Sequence, residues 1–178
     1  MLMEKLTDRD FAKSGPSRRV ADPIIMRNTF GCFASGVTVV TCLDESEPHG
    51  MTANSFISVS LQPARALISI KKSAKMHAVL QDNEYFGLSV LAESQARVAS
   101  HFAGKPQDDF NPLFNHKCGV PLIPDAMAWM VCRRSHEVEI DDHRLFIGEL
   151  IDCDHDETAA PLVFFGGRFA ALADPVRA

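Results

Sequence analysis

The chain has 178 residues, of which 46% are apolar and 23% are charged, the balance expected of one folded domain with a sizeable core. Its net charge is only −5 and its basic residues are scattered, which excludes the clustered cationic surface of a nucleic-acid-binding protein. No stretch approaches the roughly 20 apolar residues of a membrane span, and the N-terminal residues lack a signal-peptide core, so we expect a cytoplasmic protein without membrane contact.

The chain opens on a polar segment, residues 1–21, that we expect to be loosely ordered. A helix is then predicted to begin at Asp22 and Pro23, because an N-cap carboxylate followed by proline is a typical helix start. Apolar residues recur at helical spacing after it, and the helix should end near Gly36. The first ordered element is therefore predicted to be a helix.

Strand signals follow the helix. The run at residues 37–43 is rich in β-branched residues, and residues 50–60 alternate as a strand does; the polar DESEPHG between them predicts a hairpin. A third strand is predicted at residues 66–70. Ser73 is then placed to cap a short helix, whose apolar face would be Met76, Val79 and Leu80.

The second half of the chain is also predicted to be mostly strand. A strand resumes at Tyr85, a helix capped by Ser94 stops at Gly104, and a polar loop follows. Three strand-rich runs then complete the chain: AWMVCRRSHEVEI, RLFIGELIDCD and PLVFFGGRFAAL. Six or seven strands with three inserted helices predict a single mainly β domain over residues 1–178, folded as a closed or partly closed antiparallel barrel.

The predicted second strand has unusual polar positions. Thr52, Asn54 and Ser55 are short side chains that can donate and accept hydrogen bonds, which suits an uncharged polar ring. Ser69 and the segment 71–73 (KKS) add hydroxyls, two ammonium groups and a helix start, which suits a phosphate. The alternative is an ordinary strand edge with a solvated end. The residues alone leave both interpretations open.

Other site classes have weaker signals. GCFASGVT has the glycine spacing of a phosphate-binding loop, but Val37 stands where that loop needs Lys, and no GxGxxG follows a strand. The five cysteines are odd in number and lack CxxC spacing, which favours a reducing compartment. A metal site remains an alternative, although no metal is expected, because three Cys and His pairs are closely spaced: His116 with Cys118, Cys132 with His136, and Cys153 with His155.

Several motifs occur together in a fixed order: FGCFASGVTVVTC, HGMTANSFISVSLQPARALISIKKSAKMHAVL, FGLSVLAESQARVASHFAG, DDHRLFIGELIDCD and PLVFFGGRFAAL. With them the sequence resembles the short-chain flavin reductases, the reductase partners of two-component flavin-dependent monooxygenases. The resemblance covers residues 24–172. It implies an FMN-binding split β-barrel and a homodimer.

The resemblance also implies a flavin site. The isoalloxazine ring would be cradled by one strand segment, and the ribityl chain and phosphate would follow the next strand. The end of the third predicted helix, which stops at Gly104, would line the flavin. The implied cofactor-binding residues are Met51, Thr52, Ala53, Asn54, Ser55, Ser69, Ile70, Lys71, Ser73, Phe102, Ala103 and Gly104.

The nicotinamide side of the site is implied by two further elements. His143 matches the histidine of the family's Gly-Asp-His motif and is the expected catalytic residue, although Asp141 stands in place of the glycine. Phe169 matches an aromatic position that is often Tyr, and Arg168 is a candidate contact for the nucleotide, as is Arg144. His143, Arg168 and Phe169 are therefore the expected nicotinamide-binding residues.

The implied function is an NAD(P)H-dependent flavin reductase that passes hydride to FMN or FAD and supplies reduced flavin to a monooxygenase. The bound cofactor performs such chemistry, which agrees with the absence of a nucleophilic constellation in the sequence. Alternatives are a flavoprotein reductase of another acceptor, such as a metal-containing cofactor precursor, and a flavin- or metal-binding module without turnover. The choice between FMN and FAD, and between NADH and NADPH, stays open.

Overall fold

The structure of the protein is a computed structural model that describes residues 22–106 and 108–172. The predicted loose segment at residues 1–21 lies outside this range. Within the described residues, the helices are too short or too polar to cross a lipid bilayer.

Three α-helices lie in the described part of the chain: α1 (Pro23–Gly31), α2 (Lys75–Asp82) and α3 (Ala96–Phe102). The predicted start of α1 is confirmed, because the Asp22 carboxylate accepts a hydrogen bond from the Ile24 N–H at 2.7 Å. Its predicted end near Gly36 is wrong. Ser35 and Gly36 instead form a short strand that pairs with residues 163–164.

The predicted caps of the other two helices are also wrong. The chain makes a tight turn after the preceding strand, in which the Ala74 N–H donates to the Lys71 carbonyl at 2.9 Å, so α2 starts at Lys75 and Ser73 precedes its N-cap, Ala74. Before α3, the Gln95 side chain accepts from the Ala92 N–H at 3.0 Å. Ser94 consequently lies inside a short 3-10 turn, Glu93–Gln95, and caps nothing.

The described residues form twelve strands. They are β1 (Ser35–Gly36), β2 (Thr38–Asp44), β3 (Glu47–Ala53), β4 (Ile57–Leu61), β5 (Ala64–Lys71), β6 (Tyr85–Val90), β7 (Asn115–Lys117), β8 (Val120–Leu122), β9 (Ala128–Ile140), β10 (His143–His155), β11 (Val163–Phe165) and β12 (Arg168–Ala170).

Seven strands form one antiparallel sheet in the order β3-β2-β6-β9-β10-β5-β4. The predicted single strand at residues 50–60 is wrong, because the chain leaves β3 at Ala53 and enters β4 at Ile57 on the opposite edge. Four residue steps span at most about 14 Å, whereas a flat sheet of seven strands would separate its edges by about 29 Å. The sheet must therefore curl strongly. This agrees with the predicted partly closed barrel.

The core fills the inside of the curled sheet. Val40, Ile68, Leu88 and Phe146 are fully buried there. Helix α2 closes one end with the predicted apolar face, Met76, Val79 and Leu80, all of which are buried. A second cluster, which includes Val39, Leu91 and Ala99, packs α3 against the outside of β2.

Two small sheets complete the fold. β7 and β8 form a hairpin, and β1, β11 and β12 form a three-stranded sheet. The predicted strand-rich run at residues 161–172 is a hairpin whose turn, Gly166 and Gly167, has positive φ values of 56° and 79°. Glycine suits this turn because left-handed backbone costs it no side-chain clash.

Gly148 on β10 lies where the barrel core leaves no room for a side chain. A Cβ at this position would lie 2.6 Å from Phe86 Cζ and 2.7 Å from Cys132 Cβ. We expect Gly148→Ala to lower the free energy of unfolding by about 1–3 kcal/mol, the usual cost of overpacking a core. Urea denaturation measures this change.

Gly36→Ala is the matched control, because a Cβ at Gly36 meets nothing within 4 Å. We expect its unfolding midpoint to stay near that of the unmodified protein. Equal stabilities of the two variants would contradict the close packing of β10 on β6 and β9.

Candidate functional site

A cleft of about 960 Å³ opens between β3 and the segment that follows α3. This volume is at the upper end of the range, roughly 300–1,000 Å³, that is typical of small-molecule sites. Met51 and Thr52 line it from β3, and Phe102, Ala103 and Gly104 line it from the end of α3. The cleft thus brings together two groups that the sequence predicted from separate motifs.

Two contacts hold α3 against β3. The Thr52 hydroxyl donates to the Ala99 carbonyl at 2.8 Å. The Phe102 ring lies on Gly50, where a Cβ would come within 2.7 Å of two ring carbons. The Thr52 hydroxyl proton is therefore used within the protein, and only its oxygen lone pairs remain for a ligand.

One side of the cleft is an aromatic wall, which consists of His101, Phe102, Phe110 and Phe114. Ring centroids are 5.0 Å apart between His101 and Phe102, 5.2 Å between His101 and Phe110, and 6.0 Å between Phe102 and Phe114. His101 Nδ1 is buried and makes no hydrogen bond within the described structure. Such a wall offers flat apolar faces and one unused polar atom, which suits a planar heterocycle.

Charged groups stand at the other end of the cleft. Lys75 and His49 line it, and the Lys75 ammonium lies 2.6 Å from the Asp44 carboxylate. This hydrogen bond lowers the pKa of Asp44 below its usual value. Burial, with help from the Lys75 charge, lowers the pKa of His49. This end therefore holds the Lys75–Asp44 ion pair, an imidazole whose uncharged form is favoured, and the acidic side chain of Glu47.

The predicted phosphate residues form a second group along β5 and the turn that follows it. The Ser55 hydroxyl donates to the Ser69 carbonyl at 3.0 Å and accepts from the Ser69 N–H at 3.2 Å, which ties the link after β3 to β5. The Ile70 side chain is fully buried in the core, so only its main chain is available to a ligand. Lys71 and Ser73 are exposed.

His143 lies beside this second group. It opens β10 directly opposite Lys71 of β5, and its Nδ1 is 2.8 Å from the Asp142 carboxylate. That hydrogen bond lowers the pKa of Asp142. Asp141 takes the left-handed conformation with φ of 46°, which Asp tolerates better than most residues. The turn before His143 is thus made without the glycine of the family motif.

The remaining nucleotide candidates lie apart from the cleft. Arg144 is bound to Glu137 at 2.8 Å and to Glu139 at 2.5 Å, so two carboxylates match its charge. Arg168 and Phe169 are exposed on β12, and the Phe169 ring contacts Phe164 at 5.8 Å. Among the described lining residues of the cleft, none is His143, Arg168 or Phe169.

Comparison with known proteins decides the family. A family model for the flavin reductase like domain matches residues 30–173. The NADH-dependent flavin reductase StyB of Pseudomonas fluorescens is 39% identical over 152 residues, which are 83% of this chain and 89% of that protein. The chain belongs to the flavin reductase like domain family.

Two further relatives agree. The NADH-dependent FAD reductase of Streptomyces globisporus is 39% identical over 168 residues, 89% of this chain and 92% of that protein. The structure of flavin reductase PheA2 in its native state superimposes with a TM-score of 0.83 at 40% identity, and covers 86% of this chain and 99% of that one. The predicted family, fold class and enzyme class are confirmed.

The cleft of this flavin reductase fits the flavin of its family by its own chemistry. Flat aromatic faces, the buried unpartnered His101 Nδ1 and the oxygen lone pairs of Thr52 suit a polar ring system. The Cys and His pairs fit a metal less well. Burial raises the pKa of Cys132 to about 12, which disfavours its thiolate, and the described residues contain no group of three potential ligands.

Sequence reasoning missed most of the aromatic wall and the charged end. His101, Phe110 and Phe114 were not predicted site residues, and neither were His49 and Lys75. The sequence did contain a signal for the wall. Phe110 and Phe114 stand in an otherwise polar loop after the Phe-Ala-Gly helix end, and two Phe residues in such a loop indicate that it packs against the protein. Gly50 belongs to the motif HGMTANSF, but its contact with Phe102 depends on tertiary packing and could not be predicted from the motif.

Gly50→Ala tests whether the contact between β3 and α3 shapes the ligand site. The new Cβ must displace the Phe102 ring, and we expect the Kd for oxidised FMN or FAD to rise roughly five- to hundredfold, the equivalent of 1–3 kcal/mol. Equilibrium dialysis measures it.

The control for this variant is Gly31→Ala, whose Cβ would meet only Gly166 Cα at 3.8 Å. It should bind flavin as the unmodified protein does. A folded Gly50→Ala variant with unchanged flavin affinity would remove the Phe102 face from the ligand site.

Proposed function

We propose that this protein transfers hydride from NADH or NADPH to FMN or FAD and supplies the reduced flavin to a partner monooxygenase. The observation that carries the proposal is the cleft in which Met51 and Thr52 face Phe102, Ala103 and Gly104. Relatives support the partner, because one is named the reductase component of a trigonelline monooxygenase of Acinetobacter baylyi, and another the reductase component of a 4-nitrophenol monooxygenase of Rhodococcus opacus.

The flavin ring is proposed to lie along residues 51–55 with one face toward the aromatic wall. Its phosphate would reach Ser69, Lys71 and Ser73, which follow on from the hydrogen-bonded pair Ser55 and Ser69. Exposed Lys71 supplies charge, and Ser73 a hydroxyl. When bound, the flavin accepts the two electrons and the hydrogen that leave nicotinamide C4, so the protein needs no nucleophile of its own.

His143 is proposed to orient the nicotinamide carboxamide or the phosphates of the nucleotide. The Asp142 carboxylate engages Nδ1, which leaves Nε2 as the ring nitrogen available to a ligand. Lys71 pairs with His143 across the strands and adds a cation beside it. The role is one of positioning, because hydride transfer depends on the distance and alignment of the two rings.

A homodimer is proposed to complete the site. Three apolar side chains of the edge strand β4 are exposed, Ile57 at 57%, Val59 at 48% and Leu61 at 88%, and an apolar row of this kind marks a protein–protein contact. In such a dimer, Arg168 and Phe169 of one copy would lie at the cleft of the other copy. Sedimentation equilibrium tests this, and a monomer at micromolar concentration would contradict it.

We further propose a cytoplasmic location, as expected from the sequence. Its support is the set of five unpaired cysteines, two of them buried, since thiols persist in a reducing compartment. Detection of the protein only outside the cytoplasmic fraction of cells would overturn this proposal.

Anaerobic reduction of flavin tests the proposed activity directly. Catalytic amounts of protein mixed with excess FMN or FAD and NADH should bleach the flavin absorbance with many turnovers per protein, at rates in the usual enzyme range of about 1–1,000 s⁻¹. NADPH in place of NADH establishes the preferred donor. If bound flavin stays oxidised with both NADH and NADPH, the protein is a flavin-binding module and the proposed reductase activity is wrong.

His143→Gln separates nucleotide binding from flavin binding. We expect the KM for NADH to rise about two- to tenfold, the effect of one lost hydrogen bond, while the Kd for flavin stays unchanged. His136→Gln is the control, because this exposed histidine also bonds a neighbouring side chain, Ser135, at 3.1 Å. An unchanged KM for NADH, or an equal loss of flavin affinity, would remove His143 from the nucleotide site.

A further inference from the structure

The aromatic wall of the cleft is held from outside by an arginine on α3. The Arg97 guanidinium lies 2.5 Å from the Asp109 carboxylate. The same guanidinium is 4.9 Å from the centroid of the Phe110 ring. Arg97 thus grips two consecutive residues of the segment that faces α3.

Arg97 does not line the cleft, but it contacts Phe110, which does, and Phe110 contacts further residues of the wall. Phe110 packs edge-to-face on His101, and His101 on Phe102, with centroid distances of 5.2 and 5.0 Å. Phe102 in turn rests on Gly50 of β3. A continuous path of side-chain contacts therefore runs from the outer surface of α3 to the strand on which the flavin ring is proposed to lie.

The position of the wall depends on these Arg97 contacts, because the outer part of the wall belongs to no helix or strand. Residues 108–114 are turn and coil, whereas His101 and Phe102 are fixed by α3. Without a strand ladder, the position of Phe110 is set by side-chain contacts. The cation above its ring, the edge-to-face contact with His101 and the ion pair of Asp109 all reach across to α3.

We propose that Arg97 is a positioning residue that holds Phe110 in the aromatic wall and thereby sets the affinity of the cleft for flavin. The inference rests on the proposed function, in that the ligand is the flavin. It adds a residue that does not line the cleft and is not among the site residues that the family resemblance implies. Its effect falls on binding, because the hydride-transfer geometry is set by β3 and His143.

The test is the binding of oxidised FAD or FMN, measured by equilibrium dialysis without any nucleotide. We expect Arg97→Ala to raise the Kd about three- to tenfold, the combined effect of an exposed ion pair and a cation–π contact. Turnover at saturating flavin should stay within about twofold. Arg97→Lys, which keeps the charge but loses the planar group, should recover part of the affinity.

A double-mutant cycle shows whether Arg97 acts through Phe110. Phe110→Ala should weaken flavin binding by itself, and adding Arg97→Ala to it should change the Kd no further. Asp109→Asn removes only the ion pair at an exposed position, and should give a smaller loss than Arg97→Ala. This variant also keeps the proposal testable if Arg97→Ala does not fold.

Arg133→Ala is the matched control, because Arg133 has the same side-chain exposure, 45%, and an ion pair with Glu149 at 3.2 Å. It should bind flavin normally. An unchanged Kd in Arg97→Ala, or additive effects of Arg97→Ala and Phe110→Ala, would overturn the proposal. Unmodified protein that binds no flavin at all would instead reject the proposed function.

Discussion

The close approach of α3 to β3 is the contact from which the candidate site follows. It requires a residue without a side chain at Gly50, so that the Phe102 ring can lie on the strand, and it is fastened by the Thr52 hydroxyl bound to Ala99. With the helix seated there, its end presents Phe102, Ala103 and Gly104 to Met51. The cleft therefore exists because a strand and a helix meet more closely than ordinary side chains allow.

The strand crossing at residues 54–56 gives the site its second part. Because β3 and β4 are consecutive in the chain but lie on opposite edges of the sheet, the link between them must pass over the open side of the barrel. Ser55 is fixed to Ser69 during that passage, and the next residues along β5 reach Lys71 and, across the ladder, His143. The short link between β3 and β4 thus brings the cleft on β3 close to the end of β5, where Lys71 supplies a positive charge.

Local signals in the sequence predicted the strands, the apolar face of α2 and the start of α1, because period and capping chemistry are properties of neighbouring residues. Met51, Thr52 and residues 102–104, which line the cleft, are among the residues that the family motifs implied. The break of the second strand was not predictable, since its alternation continues through Asn54 and only the pairing of β4 with β5 reveals the crossing.

The helix starts after β5 and before α3 were not predictable either. Ser73 and Ser94 have side chains that can cap a helix, but both lie in turns set by their neighbours. Phe110 was not predicted, because no helical or strand period links it to Arg97 and His101 across the irregular segment after α3.

The central claim is that the cleft between β3 and the aromatic wall holds the flavin ring, and a crystal structure of the protein with bound FAD or FMN tests it most directly. The account predicts electron density for the isoalloxazine ring against Met51 and Thr52, with one face toward Phe102, and a phosphate near Lys71. Density for the ring at any other place, with this cleft filled only by solvent, would contradict it.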